Sequence, residues 1–138
     1  MRRAVLFGAL TLALASAAMP ARSIPAAGQM ELSLSWSPGR PPVGVTTTFT
    51  ATASDNDGAV RSARLCYGDG TPCDEEVRLL TTAQLVNACV FGDNWGPRQW
   101  SHKFTKSGAY PVTLTVTTRG CPGFPDETRS LTTTVTVG

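Results

Sequence analysis

The stretch from His102 to Thr118 constrains this chain more than any other. From Tyr110 to Val116 every second residue is apolar or aromatic, and apart from Pro111 the residues between are threonines. Period-two alternation of β-favouring residues marks a strand with one buried face. Just before it, Lys106-Ser107-Gly108 supplies a turn from a shorter strand holding Phe104, because glycine takes positive φ without steric cost. A strand buried on one face needs other strands to bury it.

Upstream, Met1-Arg2-Arg3 precedes the uncharged run Ala4 to Ala15, and Ala15-Ser16-Ala17 matches a small-x-small cleavage pattern. The run is shorter than a bilayer-spanning helix requires. These features predict a signal peptide over residues 1–21, cut after about residue 17–21, and a short linker over 22–30 containing Pro25 and Gly28. One domain over 31–138 follows, expected to be secreted and monomeric with no membrane span. Losing Arg2 and Arg3 takes the charge balance from 12 basic against 10 acidic residues to 10 against 10. A neutral chain lacks the clustered Lys and Arg on which phosphate binding depends, so no nucleic acid partner is expected. All four cysteines lie in the exported part, where an even count predicts two disulfides. A zinc site is disfavoured because no C-x2-C knuckle is present and His102 is the only histidine.

Further strands follow from the same alternation. Leu32, Leu34 and Trp36 define one, and Val45, Thr47, Phe49, Ala51 and Ala53 the inward face of the next. Ser54-Asp55-Asn56-Asp57-Gly58 reads as a turn leading into a third strand, with Ala63, Leu65 and Tyr67 inward and Cys66 outward. Gly68-Asp69-Gly70 closes that strand. Between Cys73 and Arg98 the pattern decays. Val77 to Leu80 is a short strand candidate, Thr82 to Cys89 is open between strand and one to two helical turns, and Phe91 to Pro97 is loop by composition. Leu131, Thr133, Val135 and Val137 form the inward face of a last strand. Six or seven short alternating strands without a helix layer predict an all-β sandwich.

Three stretches resemble one family. Val45 to Asp57 with Gly58, the Tyr67-Gly68-Asp69-Gly70 turn, and His102-Lys103-Phe104-Thr105 with Gly108 and Tyr110 to Val116 together look like a PKD (polycystic kidney disease) domain. The resemblance implies a seven-stranded immunoglobulin-like antiparallel sandwich, extracellular, used for adhesion, spacing or substrate binding rather than catalysis. The chain departs from the family pattern in two places. Leu65-Cys66-Tyr67 stands where the family commonly has Trp-x-Phe, and residues 71–101 make a longer connection than usual. Variable loops on a rigid scaffold commonly carry recognition, so that insert is the expected seat of any specificity.

Candidate sites follow. Asp69 is expected to accept local backbone N–H bonds in its turn rather than to act as an acid. Asp55, Asn56 and Asp57 place three oxygen-bearing side chains in one turn and could hold calcium; the resemblance implies the same, since some PKD domains bind calcium near this turn. No Glu stands at the twelfth loop position as an EF-hand requires, so a plain Asx turn is the favoured reading. His102 with Ser101, Asp93 or Asp69 lacks the Gly-x-Ser-x-Gly elbow of a hydrolase, so no enzyme is predicted. Phe91, Trp95 and Trp100 could form an aromatic platform for a sugar ring or an apolar side chain, with Trp100 alternatively capping the core.

For the cysteines, Cys66 and Cys121 should lie a strand length apart in such a sandwich, roughly 20 Å or more, against a limit of about 7 Å between bridged Cα atoms. Cys66 with Cys73 across a hairpin, and Cys89 with Cys121, is therefore the preferred pairing, with Cys73 to Cys89 the alternative that would make the insert a self-contained loop. The expected function is a secreted, non-enzymatic binding or adhesion module for an extracellular polysaccharide or protein. The alternatives are a secreted inhibitor or effector acting through the insert 71–101 and, last, an unrecognised hydrolase.

Overall fold

A computed structural model describes residues 30–138. The signal peptide expected at 1–21 and all of the expected linker except Met30 lie outside the described residues. Met30 is fully buried in the core.

Among the described residues, seven strands and one helix follow in the order β1 (Glu31–Ser37), β2 (Thr46–Asp55), β3 (Gly58–Cys66), β4 (Asp74–Val77), α1 (Thr82–Phe91), β5 (Asp93–Lys103), β6 (Gly108–Gly120) and β7 (Glu127–Val137). They form a three-stranded sheet β1-β2-β5 and a four-stranded sheet β4-β3-β6-β7, every pair antiparallel. This is the all-β sandwich that the alternation predicts, with immunoglobulin-like strand order. The alternating residues of the facing sheets meet in one core. Phe49, Ala51 and Ala53 of β2 pack against Leu65 of β3, Val112, Leu114 and Val116 of β6, and Val135 and Val137 of β7. Phe49 sits at the centre of an aromatic run, 5.4 Å between ring centroids from Tyr67 and 6.4 Å from Phe104.

Several boundaries differ from the sequence reading. Val45 is exposed and precedes β2, while β2 continues through Asp55, so the turn shrinks to Asn56-Asp57. The cause is local: the Asp57 N–H donates to Asp55 Oδ1 at 3.1 Å, closing the turn from a buried strand end. A bulge between Val60 and Ser62 lets both Val60 and Ala63 face the core despite their odd spacing.

Asp93 to Pro97, expected as loop, is the start of β5. The chain reaches β2 there through a second irregularity at Ala51/Ala53, and only glycine fits at 96, where φ is 95° and a Cβ would lie 2.6 Å from the Ala51 carbonyl oxygen. Residues 82–89, open between strand and helix, belong to the ten-residue α1. A capping box starts that helix, since Thr81 Oγ1 accepts from the Gln84 N–H and Gln84 Oε1 from the Thr81 N–H. Gly92 closes it with φ 78°. The insert is accordingly shorter than expected. Residues 74–77 and 93–101 are sheet strands, and 71–73 and 78–92 lie outside the two sheets.

Candidate functional site

The outer faces of both sheets are lined by hydroxyls that satisfy one another. Thr113 pairs with Thr132 at 2.9 Å, Thr115 with Ser130 at 2.9 Å and Thr117 with Thr128 at 3.1 Å on one sheet, and Ser33 with Thr52 on the other. Threonine suits an exposed pleated surface, and these pairs offer little chemistry to a ligand. What is chemically distinctive gathers on the insert and at the pole of the sandwich beside it.

The insert is held at both ends. Cys66 is bonded to Cys73 and Cys89 to Cys121, the same two pairs selected from the strand-length argument, with Cα separations of 4.4 and 5.6 Å. Between them, Arg78 Nη1 donates to Asp93 Oδ2 at 2.9 Å, and the same oxygen accepts the Val60 N–H at 2.7 Å. Arg98 of β5 reaches Glu76 of β4 at 3.1 Å, linking the two sheets. Despite these anchors the insert turns apolar side chains to solvent. Leu79 is 89% exposed, Phe91 79%, Val90 66%, Val77 65% and Val86 57%. Helix α1 carries no charged residue, and Ala88 is its one buried side chain. The exposed side of α1 mixes Val86, Val90 and Phe91 with the neutral polar Thr82, Gln84 and Asn87, a concentration of uncovered apolar surface.

At the same pole, Asp55, Asp57 and Glu127 converge, with one carboxylate oxygen from each within 4.8 Å of the others. Asp55 is 1% exposed, and its Oδ2 has no hydrogen-bond partner among the described residues. Gly58 leaves room for that oxygen: a Cβ there would lie 2.9 Å from it and 2.7 Å from the Arg119 carbonyl oxygen. The Asp57 carboxyl is pushed up to about 6, first by its hydrogen bond with Asp55, then by burial, then by the charges of Asp55 and Glu127. Three hard oxygen donors crowded together, one of them buried and bare, are what a divalent cation such as calcium would relieve. Glu127 is the member the sequence reading missed, since it lies 70 residues beyond Asp57. Asn56 is exposed, and its side chain points instead toward Gly92, where a Cβ would be 3.4 Å from Asn56 Oδ1.

The remaining candidates have structural surroundings. Asp69 accepts from the Thr71 N–H at 3.2 Å, as its turn predicts, and its Oδ2 lies 2.7 Å from His102 Nε2. Although burial works in the opposite direction, the hydrogen bonds from Thr71 and His102 hold Asp69 below the usual carboxylate range. The His102 ring stacks on Tyr67 at 3.8 Å, and the Tyr67 hydroxyl donates to Asp74. Burial first, and then Asp74, push the Tyr67 phenol up. These groups bind the Gly-Asp-Gly turn to β4 and β5.

The aromatic platform is not assembled as expected. Trp95 is a core residue, 4% exposed, and Trp100 packs against the core with its ring centroid 5.9 Å from that of Trp95. Burying Trp95 is the consequence of β5 starting at Asp93. Phe91 alone of the three is open to solvent.

Fold and site define a disulfide-braced β-sandwich that displays an apolar insert next to a carboxylate-lined pole. No protein-family model matches the chain, and no curated protein matches it. No described helix is long and apolar enough to cross a membrane.

Proposed function

We propose that this chain is a secreted, non-enzymatic binding module of PKD type that recognises an extracellular protein through its insert, with a calcium ion bracing the pole beneath. The observation that carries this reading is the exposed apolar surface of Val77, Leu79, Val86, Val90 and Phe91 on a segment fixed by two disulfides. A rigid scaffold holding apolar residues in water is the arrangement of a protein-recognition surface. With Trp95 and Trp100 packed into the core, a protein fits this surface better than a neutral polysaccharide, for which stacked exposed rings would be the natural contact. Disulfides persist in oxidising compartments, which supports export, as does the leader-like sequence before the domain. The placement of His102, stacked on Tyr67 and bonded to Asp69, supports a structural rather than catalytic role.

Immobilised protein exposed to chitin, cellulose, collagen and culture-supernatant proteins tests the reading. Saturable capture of a protein, lost in a Leu79→Ser/Phe91→Ser variant, supports it. Retention by polysaccharide alone, unchanged in that variant, overturns it. Capture of a single hydrolase with loss of that enzyme's activity would assign the module as an inhibitor acting through the same insert.

A further inference from the structure

We infer that the groove between the insert arm and the outer face of the four-stranded sheet takes an extended protein segment in which an apolar side chain stands next to carboxylates. The inference rests on the binding-module reading and names the partner's chemistry. The groove, about 380 Å3, is lined by Arg61, Ser62, Glu75, Val77, Arg78, Leu79, Leu80 and Arg119. Its place follows from the register: Val77 of β4 lies opposite Ser62 of β3, and the chain continues past β4 with the Arg78 N–H donating to the Arg61 carbonyl at 2.7 Å. The arm thus runs on beside β3, with Val77 and Leu79 exposed and Leu80 half-buried.

Charge decides the occupant. Three arginines line this groove beside one acidic residue, Glu75, and two of the three already meet carboxylates outside it, Asp93 and Asp126, so Arg119 carries the unanswered positive charge. The three are not equally committed. Arg78 is held by Asp93 at 2.9 Å and is fixed in place. Arg61 meets Asp126 only at 3.7 Å, with both side chains half exposed, a pair that water and salt readily loosen. Arg119 has no ion pair among the described residues. A partner carboxylate can therefore bond the Arg119 guanidinium in two-pronged fashion and draw Arg61 from Asp126, while the neighbouring apolar side chain covers Leu79 and Val77. A neutral sugar would leave the guanidinium groups unanswered, and a sulfated polymer would leave the leucines so.

The test is fluorescence anisotropy of the full domain with short labelled peptides: a leucine flanked by glutamates, the same peptide with lysines for glutamates, and one with serine for leucine. Saturable binding of the first peptide is expected below about 1 mM, at least tenfold tighter than either of the others and weakened by added salt. Arg119→Glu should weaken it at least tenfold, and Leu79→Ser, at a side chain 89% exposed, should do so without a change in melting temperature. No saturable binding, equal binding of the lysine peptide, or indifference to both substitutions overturns the inference. Competition by a sulfated oligosaccharide that survives Leu79→Ser would also overturn it, in favour of an anionic polymer. Protein capture that depends on Phe91 but survives Arg119→Glu would keep the binding-module reading and sink this one.

Discussion

Removing the Cys89–Cys121 bond while leaving Cys66–Cys73 intact should cost more stability than the reverse. The bonds close loops with sequence separations of 32 and 7 residues, and the chain-entropy relation gives ~3.7 and ~2.4 kcal/mol respectively at 25 °C. The longer bond also supports more structure. Cys89 lies near the end of α1 and Cys121 beside the Asn56-Asp57 turn, where its N–H donates to the Asp57 carbonyl at 2.7 Å. Without that bond α1 has Ala88 as its only buried anchor, and an isolated ten-residue helix is marginal in water. Two effects are expected together in a Cys89→Ser/Cys121→Ser variant: loss of helical ellipticity under native conditions, and a urea midpoint lower than that of Cys66→Ser/Cys73→Ser. Tryptophan fluorescence reports the midpoint through the buried Trp95. If the shorter loop proves the more costly to open, or if α1 keeps its circular dichroism signal without Cys89, the insert is held by packing and the reasoning is wrong. Peptide mapping of the non-reduced protein is the prior check, and a peptide linking Cys73 to Cys89 would contradict the structure outright.

Phe49→Ala, at the centre of the aromatic run, should cost about 3–5 kcal/mol in urea denaturation, since the cavity lies between two sheets that cannot close over it. Calcium at a hundredfold excess over its Kd should add about 2.7 kcal/mol and raise the melting temperature by roughly 10 °C, reversed by chelator and absent in Asp55→Asn or Glu127→Gln. An unchanged melting temperature would remove the cation from the account. The depressed pKa of Asp69 stabilises the fold above the ordinary carboxylate value near 4 and loses that contribution as pH falls through the lower folded-state value. Wild type should therefore outlast Asp69→Asn at neutral pH and converge with it in strong acid, as followed by melting temperature between about pH 2 and 7; parallel curves would refute the assignment.

The sandwich was legible because strand alternation is a local signal. Tyr110 to Val116 carries its buried face in its own spacing, and β1, β2 and β7 do the same. Sequence reading failed where the local signal was interrupted. Gly96-Pro97 has the composition of a loop, yet it is an irregular point in β5 whose glycine allows the backbone to approach Ala51. The capping pair Thr81 and Gln84 was a helix-start signal available in the sequence, but ten uncharged residues give no amphipathic period against which to read it. The site was half visible. Asp55 and Asp57 share a turn, whereas Glu127 joins them only because β7 lies beside β6 and the loop at 121–126 returns to that pole. The groove was not visible at all, since Arg61, Leu79 and Arg119 come from separate elements that the register brings together.

Hydrogen–deuterium exchange of the domain with and without its captured partner tests the central claim most directly, because it reports which surface is covered whatever the partner proves to be. Slowed exchange is expected across residues 74–92, with the hydroxyl-lined stretches 113–117 of β6 and 128–132 of β7 unchanged. Protection confined to the hydroxyl-lined strands, with α1 exchanging as fast as in the free protein, would contradict the account and move recognition from the insert to the sheet.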